Sequence, residues 1–444
     1  MMIALTPGGR LAAGRFILVI LTGSFAGAVH ASEQTYGVNV GVGRTDNVFL
    51  SPADPRSATF SSAGLDFSAL QSGPRVNADV FADLIYMDYL HTELPNEVLG
   101  TVAAHGKFAI VPDRVEWLVD DNFGQATLNQ VDAMSPENRE SVNYFSTGPR
   151  LTLGLGSDTR LLLDGTYSTV NYQHSPLDSR HHAGSASVVQ ELSASSNVSL
   201  KVDTERIDYE DGAVNPPIDQ REGVLRYEAS GSRTKFRIEA GYERAKFNLQ
   251  SYSKPVFQLA ASRIVSPFSS VDLSFGRSFS NSGALFRQLQ ESRSTAQQTQ
   301  SIQPTNELFT STYAALNWRM VHNRTSFDFS VSRYKQSYEQ RSVFDQLRTN
   351  IHVYFSRQLS PAMRLYASAS LSKNRYDAPL NNSTDKNFSA GVTRQMGRLL
   401  SLDLEYQRYD RGGVEAVSIG NVNQVWVRLF YGTAKRHAAS PGVQ

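Results

Sequence analysis

Val198-Ser199-Leu200-Lys201-Val202-Asp203 and Phe236-Arg237-Ile238-Glu239-Ala240-Gly241-Tyr242-Glu243 carry an apolar or small residue at every second position and a mostly polar one between. A strand points successive side chains to opposite faces, so each segment has a greasy flank and an ionic one. The division recurs at Val271, Leu273 and Phe275, at Phe327, Phe329 and Val331, from Met363 through Leu365, Ala367 and Ala369 to Leu371, and at Leu400, Leu402, Leu404 and Tyr406. Helical spacing is scarce. From Tyr36 onward the chain reads as all-β.

Alternation suits either a soluble sandwich, greasy side inward, or a membrane barrel, greasy side toward lipid. Connector lengths separate the two, because membrane barrels have short turns at one end and longer loops at the other. Short connectors are expected at 71–75, 111–114, 156–159, 193–196, 231–234, 266–269, 320–324, 359–362 and 396–399. Mostly longer ones fall between them, at 46–57, 89–96, 123–138, 173–179, 209–219, 281–305, 377–382 and 411–422, with tight ones near Ser251 and Ser337. The expectation is a transmembrane antiparallel up-and-down β-barrel of about 20 strands, with 18 as the lower count, and a polar lumen.

Lys201, Asp203, Arg237, Glu239, Glu243, Asp272, Asp328, Arg364, Asp403, Glu405 and Arg428 occupy the ionic flank. An outward Arg or Lys at the bilayer midplane costs about 2–4 kcal/mol, so this flank is expected to line a hydrated lumen. Barrels of 16 to 18 strands already enclose water, so about 20 leave a wide channel unless something plugs it. The Gln- and Ser-rich 281–305 loop could fold inward or stay exposed. Gly37, Gly41 and Gly43 lack the context of a dinucleotide fingerprint and are read as leaving lumen space.

The chain has 444 residues, 43 basic and 42 acidic, and no cysteine. Thiolate metal sites, thiol nucleophiles and disulfides are excluded. A mean hydropathy of −0.33 and the lack of a long apolar run beyond the N-terminus exclude a helical membrane protein. Balanced charge argues against nucleic acid as a partner. Arg10 and Arg15 precede the apolar stretch Phe16 to Ala28, and Val29-His30-Ala31 follows, so residues 1–31 are expected to be a signal peptide cleaved after Ala31. The barrel is assigned to 32–431 and a polar periplasmic tail to 432–444.

Tyr172, Tyr209, Tyr376 and Tyr409 precede outer loops, and Arg375-Tyr376-Asp377 reappears as Arg408-Tyr409-Asp410. They are read as rim anchors at the membrane interface, with saccharide stacking the alternative. Val425, Val427, Leu429 and Tyr431 share one face of the last strand, opposite Trp426, Arg428 and Phe430. That strand resembles the segment by which outer-membrane barrels are recognised for assembly, although here a polar tail follows it.

Two more stretches are distinctive: Thr45-Asp46-Asn47-Val48-Phe49-Leu50, and Asp120-Asp121-Asn122-Phe123-Gly124-Gln125 followed by Ser135-Pro136-Glu137-Asn138-Arg139-Glu140-Ser141-Val142-Asn143. From the residues alone, Asp120, Asp121 and Asn122 end a strand and enter a loop, where carboxylates could bind calcium or, more simply, stand in water. Ser135 to Glu140 has the start of one helical turn. Together with the strand series, these stretches resemble the outer-membrane barrel family associated with PEP-CTERM sorting and exopolysaccharide loci. The resemblance implies a non-enzymatic protein of the Gram-negative outer membrane, a conduit or docking component for polysaccharide beside exosortase genes. It implies outer-membrane lipids, the barrel-assembly machinery, polysaccharide and periplasmic export proteins as partners, and transfers no catalytic residue.

Catalytic chemistry is thinly supported. His181 and His182 are consecutive and would point to opposite faces of a strand, so they do not chelate together. His174, Ser175 and Asp178 share one outer loop, which alone does not make a relay. No cofactor or metal is expected. The rival functions are a general diffusion porin and, more remotely, a barrel hydrolase.

Overall fold

The structure is a computed structural model and describes residues 32–51, 53–133, 135–283, 285–286, 304–377, 381–413 and 420–433. The expected signal peptide and nearly all of the tail lie outside the described residues. The first ten strands are β1 Ser32–Thr45, β2 Ala58–Ser72, β3 Val76–Leu90, β4 Glu97–Val111, β5 Val115–Thr127, β6 Arg139–Gly154, β7 Thr159–Tyr172, β8 Ser179–Ser193, β9 Ser196–Tyr209 and β10 Ile218–Ser230. The others are β11 Thr234–Phe247, β12 Gln250–Ser266, β13 Ser269–Ser280, β14 Phe309–His322, β15 Thr325–Tyr338, β16 Gln346–Ser360, β17 Met363–Tyr376, β18 Ser383–Gln395, β19 Leu400–Gly413 and β20 Gly420–Gly432.

Each strand pairs antiparallel with its sequence neighbours, and β1 also pairs with β20, from Gly37↔Gly432 to Thr45↔Gln424. The sheet closes into a 20-stranded up-and-down barrel. Closure removes the sheet edges, which is what permits a strand wall to stand in hydrocarbon.

All nine expected short connectors are turns of two to four residues at one end of the ring. At the other end β11 and β12 meet tightly through Asn248 and Leu249, both at positive φ. The connection near Ser337 is not tight: it runs from 339 to 345 and contains a 3₁₀ turn, Ser342–Phe344. Asp120 to Gln125 do not enter a loop either. They sit inside β5, which continues to Thr127, because Ala126 and Thr127 extend the pairing with β6.

Register fixes which flank faces where. Tyr376 and Tyr409 meet chain from across the ring, so their face is the inner one. On β9, Leu200 and Val202 lie on the opposite, outer face, each 56% exposed, while Lys201 and Asp203 face inward. Toward the long-connection end the polarity of the wall inverts although the alternation does not: Arg206 and Asp208 continue the outer row and Ile207 and Tyr209 the inner one. The inversion repeats on β11, with Arg244 and Lys246 outside and Ala245 and Phe247 inside, and on β17 and β19, with Lys373, Arg375, Arg408 and Asp410 outside and Tyr376 and Tyr409 inside. The barrel thus has an apolar belt with an ionic lumen and, above it, an ionic collar around a partly apolar core.

Candidate functional site

The lumen wall within the belt carries ion pairs, one within β9 and the others across strands. Lys201 meets Asp203 at 2.7 Å, Arg226 meets Glu239 at 2.8 Å, Arg237 meets Glu228 at 2.6 Å and Arg319 meets Asp328 at 2.7 Å. Asp272 lies inward between Ser262 and Asn317, Arg364 inward opposite Thr393, and Glu243 is buried opposite Glu222. The four paired cations each have an acid beside them, so this part of the wall is of mixed charge rather than a field of one sign.

At the seam that closes the ring the charges are buried instead. Arg428, 2% exposed, donates to Asp403 at 3.0 Å and to Glu405, while Tyr366 donates its hydroxyl to Asp403 at 3.1 Å. The guanidinium also lies 5.0 Å from the Trp426 ring centroid. Gly41 and Gly43 make the room. A Cβ on Gly41 would stand 2.7 Å from Arg428 Cγ, and one on Gly43 2.1 Å from Phe60 Cε2. Val425, Val427, Leu429 and Tyr431 face outward from the same strand.

Several connections fold into the mouth on the long-connection side, the 128–138 and 281–305 segments among them. The 128–138 segment crosses toward β17 and β19, where Tyr376 donates to the Gln130 carbonyl at 2.8 Å and Arg411 to the Val131 carbonyl. Ala133 packs there with Leu50 and Val422, with Tyr409 against them. The described ends of the 281–305 loop also lie inside: Leu285 and Phe286 pack with Val142, Tyr144 and Val170 on one side and Phe309 on the other. Those walls belong to β6, β7 and β14, well separated around the ring. Residues 287–303 lie outside the described residues.

The four rim tyrosines are therefore not interfacial anchors. Tyr172 reaches Ser282 at 3.2 Å, Tyr209 packs on Ile207 and Phe247, Tyr376 holds Gln130, and Tyr409 donates to Asp385 at 2.6 Å. They occupy inner positions because each lies an odd number of residues beyond its strand's outer apolar row. Exposed outer aromatics include Tyr86, Tyr167, Tyr242, Phe388 and Tyr406 near the collar and Tyr36, Trp117, Trp318 and Tyr431 near the short turns.

The family-like motif residues hold backbone together. Asp46 accepts from the Asn423 backbone at 2.8 Å and its side chain at 2.6 Å, and Asn47 bonds Ser51 in both directions, at 2.8 and 3.0 Å. Phe49 packs on the cluster around Phe60 and Trp426. Asn138 closes the inward connection on Asn129 and Ala133, and follows Pro136 in a 3₁₀ turn, Pro136–Asn138. Arg139 binds Glu97 at 2.7 Å. Asp120 faces inward beside His105 at 2.8 Å, whereas Asp121 and Phe123 face outward and Asn122 and Gly124 inward, so the adjacent acids cannot grip one calcium ion.

The His174, Ser175 and Asp178 loop is structural. Glu140 accepts both backbone N–H groups of His174 and Ser175, each at 2.8 Å, and the Ser175 hydroxyl, while Asp178 accepts from the Tyr172 N–H at 2.7 Å. Burial holds the Asp178 carboxyl above the usual carboxylate range. The same closure recurs where Asp345 accepts from Tyr338 N–H at 2.7 Å and Asn382 from Tyr376 N–H at 2.9 Å. His181 is buried beside Glu205 at 2.8 Å and His182 lies outside against Tyr167. Among the described residues no group of three acids or histidines is placed to hold a metal.

Beside the first inward connection Gln130, Arg348, Asn350, Asn374, Asp385, Tyr409 and Arg411 line a cavity of about 60 Å³. That volume holds a few water molecules, not a solute. None of the latch residues Gln130, Asp385 and Arg411 was singled out from the sequence, nor was Leu285 or Phe286. One signal was present, the jump in apolar parity from Val202 to Ile207 or from Tyr242 to Ala245, which marks where the wall leaves the apolar medium.

No family model matches the chain, and no curated protein matches it. Solved structures do. The siderophore receptor PirA from Acinetobacter baumannii is 7% identical, with 91% of this chain and 81% of that chain covered and a TM-score of 0.48. A mutant of the ferric enterobactin receptor PfeA from Pseudomonas aeruginosa is 9% identical, with 89% and 80% covered and a TM-score of 0.47. Pseudomonas aeruginosa OccK2 in complex with glucuronate is 7% identical, with 90% and 98% covered and a TM-score of 0.38. At these values the likeness carries nothing about solute.

Proposed function

We propose that the protein is a non-enzymatic outer-membrane barrel that serves as a restricted conduit or docking component for extracellular polysaccharide. The observation that carries the membrane part is the inversion of the wall: apolar outside over ionic inside in the belt, then charged outside over a packed interior. Such a wall is stable where one medium surrounds the belt and water surrounds the collar. Polysaccharide as the solute rests on the sequence resemblance.

A general diffusion porin is the second reading, favoured by the ion-paired wall of mixed charge near the short turns. Two measurements separate them. The conduit reading expects loss of secreted polymer in a deletion strain and mostly closed channels in planar bilayers. Normal polymer secretion with steadily open channels would reject it in favour of the porin.

A further inference from the structure

On the outer wall, Arg333 and Lys335 of β15 and Lys373 and Arg375 of β17 flank β16. The register is Arg333↔Thr349↔Lys373 in one row and Lys335↔Leu347↔Arg375 in the next. Two strand spacings separate Arg333 from Lys373 by about 10 Å, and the two rows lie about 7 Å apart. All four side chains are exposed and none is within salt-bridge distance of a described carboxylate, although Asp345, at the long-connection end of the strip, lies close enough to Lys335 to feel its charge, with Asp377 beside it. Other collar cations sit beside acids, as Arg180 does with Glu210, Arg206 with Asp208 and Arg408 with Asp410, each at 3.0 Å, while Arg221 and Arg244 stand opposite each other on the same outer face. Asp345 and Asp377 offset part of the strip's charge at the Lys335 end, and the Arg333 and Lys373 row, farther from them, keeps a cationic excess that attracts an anion.

The next row toward the short turns is Val331↔Ile351↔Leu371, also facing outward. An occupant of this strip therefore has apolar chains lying on those three residues and an anionic head immediately above them. We infer that the strip binds a membrane lipid whose headgroup carries two or more phosphates. Arginine grips phosphate with two parallel N–H bonds and lysine adds a point charge, so each row could hold one phosphate group. The inference rests on the membrane-barrel reading and adds a lipid ligand to it.

The test reconstitutes the full chain into phosphatidylethanolamine vesicles containing diphosphorylated lipid A, its dephosphorylated form, or phosphatidylglycerol. Flotation is read first; lipid retained through detergent exchange is then read by native mass spectrometry. Diphosphorylated lipid A is expected to be retained in preference to both others. R333Q/K373Q/R375Q is expected to lower that retention about a hundredfold, at roughly fivefold per charge. R263Q, an outward arginine at the short-turn end, should leave it unchanged. Equal retention of the dephosphorylated lipid or of phosphatidylglycerol, or an unaffected triple variant, overturns the inference while the barrel still floats. Failure to float in any vesicle overturns the membrane reading as well.

Discussion

Releasing the inward 128–138 connection should open the barrel, and the size of the effect follows from two hydrogen bonds. Arg411 binds Asp385 at 2.7 Å and also donates to the Val131 carbonyl, while Tyr376 donates to the Gln130 carbonyl at 2.8 Å. In the variant Y376F/R411M, Asp385 keeps Tyr409 at 2.6 Å and Asn374 at 3.0 Å, so the wall retains much of its network. The connection itself loses one charged donor, worth about 1.5–3 kcal/mol, and one neutral one, worth about 1 kcal/mol. The packed-to-released ratio should therefore fall by about two to three orders of magnitude. Single-channel recording in planar bilayers should show openings that are rare in the parent and about a hundredfold more frequent in the variant. Protease cleavage within 128–138 should accelerate in parallel. R408Q, on the outer face of the same strand, serves as the control. Unchanged gating and cleavage in a variant that still folds would refute the latch.

Replacing Val427, outward in the belt, by Arg should cost about 2–4 kcal/mol in denaturant titrations of the vesicle-inserted protein, against much less for K201A in the lumen; equal costs would contradict the assignment of faces. G43A pushes a methyl group into the Phe60 ring and should lower stability by about 1–3 kcal/mol, read by the same titration, and a neutral outcome would show that the seam is loosely packed. Burial raises the carboxyls of Asp178, Asp345 and Glu307, so the packed connections bind protons more tightly than released ones. Packing is then fully favoured below the ordinary carboxylate range and weakens as pH rises through the raised values. Channels should open less often near about pH 4 than at neutrality; more frequent opening in acid would reverse the assigned sign.

Several features of the site were within reach of the sequence and were read from the wrong side. Tyr172, Tyr209, Tyr376 and Tyr409 stand where interfacial anchors would stand along the strand, and only their parity relative to the apolar row places them inside. The 128–138 connection gave no such clue. Its partners on β17 and β19 lie 246 and 280 residues away, and nothing in a run of Asn, Gln and Asp names them.

The sequence by itself determined the strand pattern, the short turns and the ring of about twenty strands, because side-chain alternation and turn chemistry act between neighbours along the chain. The tertiary structure decided what each flank faces. Once β20 closes on β1, one side of the wall becomes an interior that distant connections can fill, and the same alternation then serves lipid in one zone and a packed core in the next. That exchange depends on which medium lies beside each residue, and only the closed ring sets the medium.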